Sequence, residues 1–327
     1  MRHDVFGVGN AIVDLQLKVD DAFLDHIRVS KGLMTLVEAD RQIEILASLA
    51  DHAVSRCSGG SACNTVVGVA DMGGTGAYAC KTGNDDLGEF YVGDLRRLGI
   101  TVPVPPAAGI TGTSVILITP DAQRTMLTHL GVSSKLDAAD LPADEIADSE
   151  YLYVEGYLFP GEETRDAALR AIEIAKSKGV KVALTLSDAW VVGTCRTLCW
   201  ELIRGPVDLL FANKEEAKAL VGTDDPIECA RTIHRHATNV ALTLGSDGSI
   251  LMHGNQVFPV EGVHVEAVDT TGAGDMYAAG VLYGLTHGMS WQQAGRLGSH
   301  AAAQVVGQMG ARLPRPYTAD EIRSMAG

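Results

Sequence analysis

From residue 150 onward the chain keeps a strict rhythm that few folds can satisfy. Short, continuously apolar runs at 151–154, 180–186, 207–211 and 240–244 alternate with helical stretches at 162–178, 193–204, from Asn213, and at 226–236. A strand that is apolar at every position, not every second one, is buried on both faces. Strands separated by long helical stretches run parallel, because a tight hairpin cannot join them. The expectation is an α/β protein with a mostly parallel central sheet covered by helices on both faces. Gly245-Ser246-Asp247-Gly248 turns the chain directly into 249–252, which predicts an antiparallel edge.

The first half holds similar parts in a less regular order. A strand at 4–9, another at 76–80, and helices at 39–50, from Gly60 or Ser61, and at 85–98 suit the same architecture. Further strands are expected at 13–19, 33–37, 101–104, 113–119 and 124–130, the last two joined by a turn at 120–123. The alternating 13–19 run predicts a half-exposed strand. Together these pieces suggest a small β lid inserted at about 12–20, 32–37 and 101–130 into one domain spanning 1–327. Two strands alone would be marginal.

A net charge of −15 and the lack of any Lys/Arg block argue against a nucleic-acid partner. The start lacks a long apolar signal region, and no run reaches membrane-spanning length, so a cytoplasmic protein is expected. The six cysteines contain no CxxC, and Cys195 and Cys199 have no partner pair to complete a zinc set. They are read as buried free thiols.

Residues 263–285 carry the chemistry. An alternating run at 263–268 reads as a strand that ends at Asp269. Small residues follow, Thr270-Thr271-Gly272-Ala273-Gly274-Asp275, and then a buried helix at 276–285. Backbone amides at such a junction face outward at the positive end of the helix and favour a phosphoryl group. Asp275 would repel a phosphate that was merely stored there. It makes sense as the group that takes a proton from an acceptor hydroxyl. Helix capping by Asp269 or Asp275 explains one acid at this junction, but not the Gly-Ala-Gly run or the second acid.

Other strings are weaker. Gly7-Val8-Gly9 has Ile12 where a dinucleotide fingerprint needs glycine, and Cys80 stands where a P-loop needs glycine before Lys81. Asn10 and Asp14 are short polar residues near strand ends; Asp14 is either an acceptor for a vicinal diol or a turn residue. Gly59 and Gly60 permit a ligand close to the backbone, and Asn64 lies just inside the following helix. Asn213 and Glu216 form a capping box, and they also sit at a strand end where oxygen ligands for a magnesium–phosphate group are useful. Arg124 is a solvated arginine or a charge clamp swung over phosphate. Thr243, Gly245 and Gly248 can border a nucleotide, the alanines around His300 either leave room for an adenine ring or simply pack a helix closely, and Tyr157 can stack on a base.

The strings GVGNAIVD (7–14), GGSACN (59–64), KTGNDDLGE (81–89), NKEE (213–216) and DTTGAGD (269–275) resemble the ribokinase-like (PfkB) carbohydrate and nucleoside kinases over nearly the whole chain, on the adenosine-kinase side of that family. The resemblance implies a three-layer sandwich with a β lid and ATP-dependent phosphorylation of a primary hydroxyl, with Mg²⁺ and a monovalent cation such as K⁺. It implies Asp275 as base and Gly272, Ala273 and Gly274 as anion hole. Asp14, Gly60 and Asn64 would hold sugar hydroxyls, with Asn10 and Gly59 beside them. Asn213 and Glu216 would organise phosphates and magnesium through water, Asp269 and Thr271 would border the monovalent cation, and Arg124 would take the place of a lid arginine associated with phosphate. His300 departs from the family, which often has asparagine there. The expected acceptor is a nucleoside, adenosine first, acted on by a monomer or homodimer. The alternatives are a kinase of free sugars (ribose, fructose or 2-keto-3-deoxygluconate) and a non-catalytic binding protein on the same scaffold.

Overall fold

A computed structural model describes residues 3–50, 52–121 and 123–327. Numbered along the chain, its strands are β1 His3–Val8, β2 Ile12–Lys18, β3 Met34–Leu36, β4 Ser55–Gly59, β5 Gly76–Ala79, β6 Gly112–Ile118 and β7 Arg124–His129. They continue as β8 Ser149–Glu155, β9 Lys181–Thr185, β10 Leu209–Asn213, β11 Asn239–Thr243, β12 Ser249–His253 and β13 Gln256–Val260. Eight form one sheet in the order β13-β12-β11-β10-β9-β8-β1-β5. The six strands from β11 to β5 in that order pair in parallel, while β12 and β13 complete an antiparallel edge.

Successive side chains on these strands go to opposite faces, and each face has its own helices. Val5, Tyr78, Tyr153 and Phe211 join a core with helices Ser61–Asp71, Ala273–Thr286 and Trp291–Val306. Phe6, Val8, Leu152 and Leu210 join the other, against helices Glu162–Ser177, Ala189–Arg204, Lys214–Val221 and Pro226–His234. This is the α/β sandwich that the apolar rhythm predicts. Parallel strands align their carboxyl ends, so Asn10, Glu155, Asn213 and Thr243 reach one edge of the sheet, where α/β proteins bind ligands.

A second sheet faces that edge, with five strands in the order β3-β7-β6-β2-β4. Its strands come from two excursions of the chain. The first also contains helix Asp21–Ile27, which was not foreseen and is capped by Asp20 through the Phe23 amide.

Three local expectations need correction. Residues 101–104 form no strand; Thr101 makes only an isolated bridge to Ala77 of the main sheet. Residues 263–268 form no strand either, because the sheet edge beside β12 is already taken by β13 and the segment lies largely exposed. β4 was overlooked, since its Ser-Arg-Cys-Ser-Gly text has little β propensity. The turn expected at 120–123 includes Ala122, which lies outside the described residues. No helix among the described residues is long and apolar enough to cross a membrane; all six cysteines are free thiols, but Cys57 and Cys195 are only partly buried.

Candidate active site

A cavity of about 410 Å³ separates the two sheets and runs from the second sheet to the carboxyl ends of β10 and β11. Asp275 lines it, in the first turn of helix Ala273–Thr286. No side chain caps that helix, and its N-cap, Gly272, takes a left-handed φ of 74°. Asp275 turns away from its own helix end. Its Oδ1 accepts from Ser61 Oγ at 2.6 Å and its Oδ2 from Asn64 Nδ2 at 3.0 Å. Both carboxylate oxygens are thus turned to the neighbouring helix and not to their own helix start, and each keeps a further lone pair for a donor from the cavity. Burial pushes its pKa up to about 6, against those two hydrogen bonds. An aspartate poised there near neutral pH, beside uncapped amides, can accept a proton while the amides hold an anion. Gly274 lines the cavity with nothing within 4 Å of where a Cβ would stand, so this part of the loop faces open space.

Two segments expected on the sugar side, around Asn10 and after Gly60, meet at Glu155, a residue that the sequence does not single out. Its Oε1 accepts from the Asn10 amide and from Asn10 Nδ2, both at 2.8 Å, and its Oε2 accepts from the Ala62 amide at 2.8 Å. One carboxylate at the end of β8 thus pins the end of β1 to the start of helix Ser61–Asp71. Burial raises its pKa to about 7 in spite of three donors. Only a strand-end glutamate in an otherwise apolar run could have signalled it.

Asp14 projects from β2 into the cavity, and the need for glycine at 59 follows from it. A Cβ on Gly59 would stand 2.5 Å from Asp14 Oδ2. Gly60 has φ 102°, and its Cβ would meet the Asn10 carbonyl at 2.3 Å. Burial raises the Asp14 pKa to about 7, opposed by the charges of Arg124 and Arg312. Asn10, Gly60 and Asn64 also line the cavity, Gly59 does not, and Tyr157 stands at the wall on a short turn after β8. Phe159, by contrast, is core.

At the other end, Asn213 and Glu216 make the expected capping box. Asn213 Oδ1 accepts from the Glu216 amide at 2.9 Å, and Glu216 accepts from the Asn213 amide at 3.0 Å and from its Nδ2 at 2.6 Å. Both line the cavity, as do Thr243 and Thr271. Burial raises the Glu216 pKa to about 7, and the charges of Asp188 and Asp275 add to the effect. Such a concentration of negative charge favours a cation. Among the described residues no group of three His, Cys, Asp or Glu side chains could hold a metal directly.

Several expected residues lie elsewhere. Gly245, Gly248 and His300 are not among the residues lining this cavity. Gly248 has a structural reason: a Cβ there would stand 2.1 Å from the Val260 carbonyl. His300 is exposed on helix Trp291–Val306. Ala273 begins helix Ala273–Thr286 without lining the cavity. Arg124 is neither solvated nor over the cavity; it is buried in an ion pair with Asp269 at 2.9 Å. Trp190, unremarked in the sequence, stands half exposed at the cavity wall.

The crystal structure of adenosine kinase from Sinorhizobium meliloti matches over 99% of this chain and all of that one, with TM-score 0.91 and 39% identity. A probable sugar kinase from Rhizobium etli CFN 42 matches over 99% of both chains, with TM-score 0.92 and 36% identity. Fructokinase from Klebsiella pneumoniae is 29% identical over 83% of this chain and 92% of its own length. The model of the pfkB family carbohydrate kinases matches residues 18–317. With the sandwich, the uncapped glycine junction and its turned aspartate already in place, this match settles the family: the chain is a kinase of the pfkB family.

Proposed function

We propose that the protein transfers the γ-phosphoryl group of ATP to the primary 5′-hydroxyl of a nucleoside, adenosine first. The observation that carries the nucleoside is the wall of the cavity formed by the second sheet. Ile12, Met34, Leu36, Ile116, Met126 and Leu130 line it, and Leu36 remains half exposed there. A free sugar bears hydroxyls in nearly every direction and would leave them unpaired against such a surface. A purine ring is flat and largely apolar, and it would cover the same surface. The opposed hydroxyls of Ser114 and Thr128, 2.9 Å apart, give this wall a small polar spot for the edge of a base.

The polar floor suits the ribose. Asp14 can accept from two vicinal hydroxyls, with Asn64 and the Gly60 backbone beside it. Asp275 orients the 5′-hydroxyl and takes its proton as the new bond forms. The amides of Gly272 to Gly274 face the transferring group at a helix start, where charge develops. Asn213, Glu216 and Thr243 would hold the nucleotide phosphates and water-bound Mg²⁺, which supplies screening of the phosphate charge. The second sheet serves as a lid that excludes water from the transfer. A cytoplasmic setting suits this chemistry.

The fructokinase relative favours a second reading, a free-sugar kinase. ATP consumption with adenosine, guanosine, inosine, ribose and fructose separates the two. The expected result is a kcat/KM for adenosine about 10²-fold or more above either sugar, the scale on which an apolar pocket discriminates against an added hydroxyl. A preference for fructose or ribose would overturn the nucleoside reading and leave the kinase intact.

A further inference from the structure

Family resemblance implies a monovalent cation beside Asp269, and the structure disagrees. The Asp269 side chain is fully enclosed, and both of its oxygens are engaged. Oδ1 accepts from Arg124 Nη1 at 2.9 Å and from the Thr271 amide at 2.9 Å; Oδ2 accepts from the Gly310 amide at 2.7 Å. Three donors, one of them carrying a full positive charge, already take most of the lone-pair sites that a metal ion would need. We propose that the Arg124 guanidinium is a built-in cation for Asp269, so that phosphoryl transfer proceeds without added potassium or any other monovalent ion.

Charge balance supports this. A buried carboxylate held only by neutral amides remains an uncompensated charge, and a guanidinium answers it with permanent charge and directed hydrogen bonds. Arg124 Nε and Nη2 are buried and have no acceptor in the fold, so no other protein group competes for this side chain at hydrogen-bond distance. At longer range the same charge offsets part of the burial effect on Asp14.

Geometry links the pair to the reacting end of the site. Arg124 is the first residue of β7, so the pair ties the second sheet to the loop before helix Ala273–Thr286. Asp269 in turn fixes Gly310, whose neighbour Ala311 packs against Gly272 so closely that a Cβ on Gly272 would stand 2.5 Å from the Ala311 Cβ. Gly272 is the N-cap of helix Ala273–Thr286. Arg124 is therefore a positioning residue. It is not among the residues lining the cavity, and through Asp269 it sets where the amides of the loop stand.

The inference concerns the phosphoryl end and does not depend on the acceptor. Rates are measured with ATP–Mg²⁺ and either adenosine or fructose, whichever turns over, in about 100 mM KCl or choline chloride so that screening is matched. Wild-type rates are expected to agree within about twofold in the two salts. Arg124→Ala in choline is expected to lose about tenfold or more in kcat, as when a buried pair is broken, with little change in KM, and to recover severalfold in KCl. Melting temperature in the two salts is the readout that needs no substrate: KCl is expected to raise that of Arg124→Ala above its value in choline and to leave wild type unchanged. Wild-type activation by KCl of tenfold or more overturns the proposal, as does an Arg124→Ala variant with normal kcat in choline. A kcat loss in that variant that potassium does not relieve also overturns it. If Arg124→Ala does not fold, the wild-type comparison alone decides. Failure of the adenosine reading appears separately, as turnover of fructose and not adenosine.

Discussion

Helices Ser61–Asp71 and Ala273–Thr286 begin alike and are completed differently. Each follows a glycine at positive φ, 102° at Gly60 and 74° at Gly272, and neither has a side-chain cap from its own start. Both therefore present bare amides to the cavity. The first is answered from within the fold, because Glu155 accepts from the Ala62 amide. Among the described residues the second has no such partner; its own acid, Asp275, reaches across to Ser61 and Asn64 of the first helix. The difference separates two uses of one device. A helix start filled by an internal carboxylate becomes a fixed bracket, and one left open becomes a place for a transient anion.

The sharpest way to break this comparison is at Asp275. Asp275→Asn keeps the shape and one acceptor, so nucleotide and acceptor affinities should change little while kcat falls by about 10² or more, the range for a general base. Near-normal turnover would show that the open helix start works without a base. Next in size is the bracket. Glu155→Gln points an amide N–H at a backbone N–H, and chemical denaturation should show a loss of about 1–3 kcal/mol. Unchanged stability would mean that the first helix start is held by something other than this carboxylate.

A pair of glycine substitutions sharpens the contrast further. Gly60→Ala forces a side chain into positive φ against the Asn10 carbonyl and should cost about 1–3 kcal/mol of stability. Gly274→Ala meets no atom within 4 Å in the fold, so its melting temperature should hold while turnover drops, as expected where only the ligand is crowded. The smallest effect is on pH. With the Asp275 pKa raised to about 6 in the free protein, kcat/KM should fall about tenfold per pH unit below that value. The stability of the free protein should move the other way. Asp14, Glu155 and Glu216 have folded pKa values raised to about 7. Between about pH 4 and 7 the folded state therefore holds protons that the unfolded chain has released, and stability falls as pH rises through that window. A melting temperature that climbs from pH 5 to 7 would contradict the buried state of these groups.

The parts of the site that could be read in the sequence are local. Asp275 and its glycines lie in one seven-residue string, and the capping box of Asn213 and Glu216 is written in four residues. The sandwich was legible because periodicity and helix length fix parallel pairing. What escaped depends on distant partners. Glu155 meets residues 145 and 93 positions away, and Arg124 meets Asp269 at a separation of 145. No spacing in the sequence encodes such meetings. Residues 263–268 show the converse error. Alternation describes a strand only where a neighbour offers a free edge, and β13, whose Pro259 weakens its own text as a strand, already occupies it.

The second sheet is built from two excursions, 12–59 and 112–129, interrupted by β5 and the helices around it. The chain accordingly passes between the two sheets four times. Grafting this cover from a relative would take four matched junctions at once, which makes it a poor unit of exchange. On the proposed nucleoside reading, acceptor preference would be altered more readily one side chain at a time, at Met34, Leu36, Ile116 or Met126 on the cavity wall, than by trading a module.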